Sequence, residues 1–363
     1  MVERQTISTN TQLQVGIVGG SGYTGSELLR LLLGHSKVKV RAITSRVGEG
    51  SLVTEHYPNL IGNPQAQQLR FVAPQIAELA DLDLVFFATP NGVAMGQVPE
   101  LLQAGVRIID LSADFRLKDA KVWGQWYGQQ HQAIECLAGA VYGLADLVPE
   151  QVRNAKLVAN PGCFTTTVQL ALRPLLSANM LDLTQPIIAD CKSGATGAGR
   201  SARTDLSLSE LSENFTAYGV TGHRHWPELM QELGSVIPAA SATPLRFTFV
   251  PHLLPMPRGI FATIYCQAAH GIEVEQMRTV LANCYHDSPF VHVLPAGQIP
   301  ATKSVRGSNN CHLNVVAGTG GQIVLLSAID NLLKGAAGQA IQNMNLMFGF
   351  EPTMGLTAPG LLP

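Results

Sequence analysis

The runs LQVGIVG (13–19), GSGYTG (20–25) and SELLRLLL (26–33) decide the fold. A mainly apolar run predicts a short buried strand, the glycine cluster a sharp turn, and the leucine-rich run a helix. Gly34 is placed to end that helix, and VKVRAIT (38–44) supplies a second strand, which completes a β-α-β unit. Within it, Gly20-Ser21-Gly22-Tyr23-Thr24-Gly25 fits G-x-G-x-x-G between a strand and a helix. Glycines there let the backbone approach a pyrophosphate, and the N–H groups at the helix start meet its charge. These six residues are therefore candidate dinucleotide contacts. The second strand ends in Thr44-Ser45-Arg46, where an NAD site normally carries Asp or Glu. A hydroxyl and a guanidinium suit a 2′-phosphate, so Ser45 and Arg46 point to NADP.

Outward from this unit the alternation continues, with strands at 82–88 (LDLVFFA) and 106–111 (VRIIDL) and a helix at 93–104 between them. That rhythm predicts a doubly wound parallel sheet covered on both faces, a Rossmann-like domain over residues 13–162. From 163 the rhythm changes. A helix at 164–176 is followed by strands at 186–191, 245–250, 260–267, 312–317 and 322–328, with one helix near 273–285. Strands without intervening helices predict a second, α+β domain on a mixed sheet, residues 163–328. A last helix within 329–363, near 329–347, is expected to return to the first domain. The overall expectation is an α/β protein of two units, which suits a length of 363 residues, beyond the roughly 250–300 at which one core stops growing.

Composition narrows the function. With 46% hydrophobic and 14% charged residues the chain is a folded protein, and a formal charge of −2 leaves no basic field for nucleic acid. A small-molecule partner is the default. No run of 18 apolar residues occurs, so no membrane partner is expected, and the polar N-terminus lacks a signal-peptide core. The six cysteines form no C-x-x-C pair, which disfavours structural zinc and suits a reducing cytoplasm.

The chemistry concentrates at Asn160-Pro161-Gly162-Cys163, which follows the apolar strand 156–159 and opens the next helix. At a helix N-terminus the peptide dipoles favour thiolate over thiol, so Cys163 is a candidate nucleophile. A thiolate needs a proton-handling partner, and His223-Arg224-His225-Trp226-Pro227-Glu228 offers two imidazoles and a carboxylate. Glu228, three residues after His225, is placed to orient it. H-x-H without a nearby third ligand is a poor metal signature, so no metal site is expected.

Together these residues resemble the N-acetyl-gamma-glutamyl-phosphate reductases of the aspartate-semialdehyde dehydrogenase superfamily. The resemblance is carried by GIVGGSGYTGSELLRLL (16–32), LSADFR (111–116), NPGCFTTT (160–167), KSGATGAG (192–199), HRHWPE (223–228) and PHLLPMPRGI (251–260), in that order. It implies an NADPH-dependent reduction of N-acetyl-L-glutamyl 5-phosphate to the 5-semialdehyde, in arginine biosynthesis, through a thioester on Cys163. It further implies His225 as acid/base with His223 the lesser candidate, Arg116 on the substrate phosphate, and Ser193 and Gly194 near the nicotinamide. Arg258 in the PMPRG turn is suited to a substrate carboxylate, with Glu228 and His223 as further substrate contacts. A homo-oligomer, dimer or tetramer, is implied as in the family. The alternatives are a related acyl-phosphate reductase of lysine biosynthesis, a non-catalytic nicotinamide-binding regulator, and a cysteine hydrolase, which leaves GSGYTG unexplained.

Overall fold

The computed structural model describes residues 12–46, 48–239 and 243–362. The polar lead through residue 11 lies outside them. Seven strands form the first sheet: β1 (Leu13–Val18), β2 (Val38–Thr44), β3 (Phe71–Val72), β4 (Leu84–Phe87), β5 (Arg107–Asp110), β6 (Ala140–Tyr142) and β7 (Leu157–Ala159). Their order is β3-β2-β1-β4-β5-β7-β6, and every pairing is parallel. β1 thus lies between β2 and β4, and the chain's crossovers diverge on either side of it. That switch point is where an open α/β sheet leaves a crevice beyond its strand ends. β4 (LVFF) is buried at all four positions, as a central parallel strand covered on both faces must be.

The second sheet contains β8 (Ile187–Gly194), β9 (Thr216–Ala217), β10 (Phe247–Leu254), β11 (Ile260–Cys266), β12 (Val291–Val293), β13 (Cys311–Ala317) and β14 (Ile323–Ile329). The order β12-β13-β14-β11-β8-β10-β9 mixes parallel pairs, β8 with β10 and β12 with β13, with antiparallel ones. One face is apolar: Ile260, Ala262, Ile264 and Cys266 of β11 are buried in the same core as Val168, Leu172 and Leu176 of the helix Cys163–Ser177. The opposite face leaves Ile188 and the neighbouring Tyr265 exposed.

The helix Gly338–Met347 is packed into the first sheet's core with Leu13, Ile17 and Phe86. Between β14 and this helix the chain makes a π-turn, Leu333–Ala337, in which Gly335 N–H donates to Asp330 O (3.0 Å) and Ala337 N–H to Leu332 O (2.8 Å). The uninterrupted helix predicted at 329–347 is thereby corrected, since Ile329 ends β14 and the first helical turn is widened by one residue. The helix predicted at 93–104 is also divided, into a 3₁₀ turn Ala94–Gly96 and a helix Val98–Gln103. Pro99, at the start of the second piece, lacks the N–H that a continuous helix needs.

Candidate active site

The phosphate turn is built by close approach. Gly19 has φ +88°, and a Cβ there would lie 2.5 Å from Ala88 O, while one on Gly25 would lie 2.4 Å from Gly19 O. Both positions accept only glycine. A Cβ on Gly22 would meet nothing nearer than Gly19 O at 3.9 Å, so it would fill the open mouth of the turn. The helix Tyr23–Leu32 starts there with no side-chain cap, and its first hydrogen bond is Ser26 N–H to Gly22 O (2.9 Å). The N–H groups of Tyr23, Thr24 and Gly25 therefore face that mouth without an acceptor among the described residues. This fits a pyrophosphate.

At the end of β2, Thr44 holds the turn itself: its carbonyl accepts from Gly20 N–H (2.9 Å) and its hydroxyl from Gly19 N–H (3.4 Å). Ser45 is buried beside it and Arg46 is exposed. Two residues that sequence reading did not single out close the same corner. Tyr57 donates its hydroxyl to Gly20 O (2.8 Å), and Arg200 reaches across from the second half of the chain to Ser21 O (3.1 Å) and the Tyr57 hydroxyl (3.4 Å). A cleft of about 530 Å³ opens beside Arg200, between Tyr23, Thr196, Arg203 and Met256. Arg200 directly follows KSGATGAG, and that adjacency was its only sequence signal. Ser193 and Gly194 occupy the last two positions of β8 rather than the loop after it. A Cβ on Gly194 would lie 2.8 Å from the backbone of Pro257 and Arg258, so its bareness lets the end of β8 lie against the turn between β10 and β11.

The second cluster forms where β7 passes through Asn160-Pro161-Gly162 into the helix that Cys163 opens. A Cβ on Gly162 would stand 2.5 Å from His225 Nε2 and 2.9 Å from Arg116 Nη1, so an imidazole and a guanidinium both face the residue before Cys163. Four of the expected residues, Cys163, His225, Arg116 and Glu228, are thus brought together. Arg116 is buried and donates from Nε to Asn160 O (2.9 Å), from Nη2 to Leu111 O (2.9 Å) and from Nη1 to Glu228 Oε2 (3.3 Å). Those three bonds leave two of its five N–H groups for a ligand.

Glu228 does different work from that expected. Its Oε1 accepts from Gly162 N–H (2.9 Å), the Tyr142 hydroxyl (2.7 Å) and the Thr165 hydroxyl (2.6 Å), and none of its bonds goes to His225. The reading of Glu228 as the carboxylate that orients His225 is corrected. It caps the start of the cysteine helix instead, because the short helix Trp226–Gly234 aims it across at Gly162.

His225 is placed by its neighbours rather than by an acid. Its backbone N–H donates to His223 Nδ1 (3.1 Å), the two rings sit 4.9 Å apart, and Phe164 flanks both at about 5.9 Å and 5.8 Å. Since His223 Nδ1 accepts, its neutral ring carries the proton on Nε2. His225 Nδ1 is buried without a partner among the described residues. Burial, followed by Arg224, lowers His223 to about 4; burial, followed by His223 and Arg116, holds His225 well below the usual imidazole range. Both rings are neutral at pH 7.

The expectation of a resting thiolate is corrected as well. Burial pushes the Cys163 thiol up to about 11, with Arg116 and the N–H groups of Phe164 and Cys163 lowering it and Glu228 raising it. The helix start is real, but the carboxylate bound to Gly162 opposes its positive end. Arg258 stands apart from this cluster. It forms a two-pronged pair with Asp330 (2.9 and 3.0 Å) and reaches Glu27 (3.0 Å). Two carboxylates already neutralise its charge, so its expected role on a substrate carboxylate is replaced by one in joining Glu27 to Asp330.

Family models describe the two halves as "Semialdehyde dehydrogenase, NAD binding domain" over residues 14–155 and "Semialdehyde dehydrogenase, dimerisation domain" over 163–331. The chain is 52% identical over 351 residues to the N-acetyl-gamma-glutamyl-phosphate reductase of Acidithiobacillus ferrooxidans, covering 97% of this chain and 100% of that one. It is 50% identical to that of Neisseria gonorrhoeae, covering 97% and 99%. Among solved structures it is similar to aspartate semialdehyde dehydrogenase II of Vibrio cholerae (TM-score 0.69, 16% identity, 93% and 98% covered). The enzyme of Candida albicans solved with NADP matches equally (TM-score 0.69, 16%, 93% and 98%). No helix among the described residues is long and apolar enough to cross a membrane.

Proposed function

The chain belongs to the N-acetyl-gamma-glutamyl-phosphate reductase family, and from that premise we propose that it converts N-acetyl-L-glutamyl 5-phosphate to N-acetyl-L-glutamate 5-semialdehyde and phosphate in arginine biosynthesis. The observation that carries the reading is the convergence of His225 Nε2 and Arg116 Nη1 on the residue before Cys163. We assign cofactor binding to residues 13–162, catalysis to 163–328, and the 329–363 segment to the support of the first unit.

The Cys163 sulfur attacks the acyl carbon, a C–S bond forms, and the C–O bond to phosphate breaks. The thiol proton leaves through His225, whose neutral ring is ready to accept it, and ends on the departing phosphate. The free N–H groups of Arg116 meet the phosphate oxygens, and a guanidinium fork suits them better than a point charge. NADPH, when bound, supplies the hydride that reduces the thioester carbonyl. Gly20, Ser21, Gly22, Tyr23, Thr24 and Gly25, with Arg200 closing on Ser21, would hold its pyrophosphate, Ser45 and Arg46 its phosphorylated ribose side, and Ser193 and Gly194 would border its nicotinamide end. His225, carrying a proton taken up from solvent, protonates the oxyanion after reduction, takes that proton back as the C–S bond breaks, and passes it to the sulfur, which returns the thiol and frees the aldehyde. Because no carboxylate touches His225, its imidazolium is unstabilised and passes the proton on rather than storing it.

All six cysteines are free thiols, which suits the reducing cytoplasm, and the exposed face of the second sheet around Ile188 and Tyr265 suits a homo-oligomer, dimer or tetramer. The test is the reverse reaction: NADPH formation from the semialdehyde, phosphate and NADP+, set against aspartate semialdehyde. Turnover of the acetylated substrate alone supports the reading. Preference for aspartate semialdehyde overturns it.

A further inference from the structure

Against Cys163 stands the π-turn Leu333–Ala337. A Cβ built on Gly335 would lie 2.7 Å from Cys163 Cβ and 3.2 Å from Cys163 Cα, closer than carbons pack. Real Cβ atoms do not approach that near, so the bare α-carbon of Gly335 and the nucleophile's own carbons share one space. A turn that matters only to the fold has no need to press on the first residue of this helix.

The turn is fixed at both ends and from below. Asp330 Oδ1 accepts from Leu332 N–H (2.9 Å) and Leu333 N–H (3.1 Å), and the Ala336 carbonyl accepts from Asn160 Nδ2 (3.3 Å), three residues before the cysteine. Between them Lys334, wholly buried, points its ammonium at Asp146 Oδ2 and donates to Gln342 Oε1 (2.9 Å) over the face of Phe290. Asp146 Oδ1 takes the Ser288 hydroxyl (2.7 Å) and Gln342 Nε2 (3.1 Å). The Lys334 carbonyl accepts from Gln339 Nε2 (3.2 Å), which also donates to Thr166 Oγ1 (2.9 Å) in the first turn of the cysteine helix. A buried ion pair contributes little net stability against an apolar replacement, and its best use is to specify one arrangement. The arrangement specified here is a five-residue turn whose middle glycine meets the nucleophile.

We propose that Gly335 is a positioning residue for Cys163: the π-turn, anchored by the buried Lys334–Asp146 pair, is the wall that sets where the sulfur stands against the N–H groups of its own helix. The proposal rests on Cys163 being the acyl acceptor. An α-turn of the same sequence would rotate a different residue to that wall, which is why the extra residue of the π-turn is needed. The reacting group that Gly335 meets is Cys163 itself, so its effect passes through the position of that residue.

The test is Gly335→Ala, read on three quantities. The added methyl group displaces Cys163 Cβ, and displacement on the order of 1 Å costs about 10²-fold in rate, so kcat should fall about that far. NADPH binding, followed by its fluorescence, should stay within about twofold, because the phosphate turn is untouched. Alkylation of the Cys163 peptide by iodoacetamide, followed by mass spectrometry, should slow severalfold as the sulfur leaves the Phe164 and Cys163 N–H groups. The alkylation readout needs no substrate, so it judges the positioning role even if the enzyme proves to act on another acyl phosphate. A folded Gly335→Ala protein with wild-type kcat and alkylation overturns the proposal, as does an equal loss of kcat and NADPH affinity. Should the single variant fail to fold, Cys163→Gly supplies the missing room: the double variant should recover a cooperative melting transition. If the double variant also fails to fold while Cys163→Gly alone folds, the two residues do not compete for one space and the proposal is wrong.

Discussion

Glu228→Gln separates the two effects that this carboxylate has on the site. Gln keeps the shape and, through Oε1, the bonds from Gly162 N–H (2.9 Å), Tyr142 (2.7 Å) and Thr165 (2.6 Å), but it turns an amide N–H toward Arg116 Nη1, now 3.3 Å from Oε2. Removing one partner of a buried pair costs about 3–5 kcal/mol. Arg116 retains the Asn160 and Leu111 carbonyls, so we expect the low end, roughly 3 kcal/mol, or more than a hundredfold in the folding equilibrium. The effect on sulfur has the opposite sense. Glu228 is among the groups that raise Cys163, and its loss also leaves Arg116 uncompensated beside the helix start. The thiol should therefore fall below about 11, which makes alkylation of Cys163 at neutral pH faster than in the wild type. The measurements are urea unfolding and iodoacetamide alkylation of the same protein. A less stable variant whose Cys163 reacts no faster, or slower, would refute the electrostatic account and leave Glu228 a purely structural cap.

Three further outcomes follow from the same geometry. Cys163→Ala should abolish turnover with NADPH still bound, while His225→Asn should slow the proton-transfer steps by about 10²–10⁴-fold; mass spectrometry of quenched enzyme given acyl phosphate without NADPH should find the acyl group on Cys163 and on no other cysteine. His223 is held neutral by burial, lowered to about 4, so the unfolded chain binds its proton first as pH falls below the ordinary imidazole value of about 6.5. Stability from this group is complete above that value and is lost down to about 4, at up to about 1.4 kcal/mol per pH unit, and urea unfolding of His223→Gln should show a shallower decline over that window. Arg46→Ala should lower kcat/KM for NADPH more than for NADH, whereas Arg200→Ala, which touches Ser21 at the phosphate turn, should weaken both cofactors alike; equal losses in Arg46→Ala would remove it from the 2′-phosphate.

What could be read in advance was whatever the chain writes locally. The glycine turn, its strand and its helix lie within about twenty consecutive residues, and the N-P-G-C turn announces its own helix start. Short strands such as β3 and β9, two residues each, carry no periodicity and were invisible. The partners of charged groups were equally hidden. Sequence proximity pairs Glu228 with the nearest imidazole, yet its acceptor bonds reach back 63 to 86 residues, to Thr165, Gly162 and Tyr142. Arg258 was given to a ligand, although its guanidinium meets carboxylates 72 and 231 residues away. The π-turn at Leu333–Ala337 differs from an α-turn by one extra residue in the turn, which apolar spacing cannot register over so short a run.

The placement of Arg258 bears on how the two halves of the site keep their geometry. Glu27, which accepts one of its N–H groups, belongs to the helix Tyr23–Leu32 whose first turn faces the pyrophosphate position. Asp330, which accepts two more, also takes Gly307 N–H (2.7 Å) and the N–H groups of Leu332 and Leu333. The π-turn that begins there ends against Cys163. Burial would raise the Glu27 carboxyl, but Arg30 and Arg258 hold it below the usual carboxylate range, so it remains an anion where a solvated loop residue would add nothing. A dinucleotide held by its pyrophosphate at the first helix and a thioester held at Cys163 would have to meet within about 0.5 Å of the productive geometry to react well. An arginine gripped by two carboxylates, one from each side, is a stiffer joint than the single apolar contact a connecting loop could make, since its planar fork fixes direction as well as distance. That is the physical reason for a charged, fully paired Arg258 at this junction and for its absence from the substrate cluster.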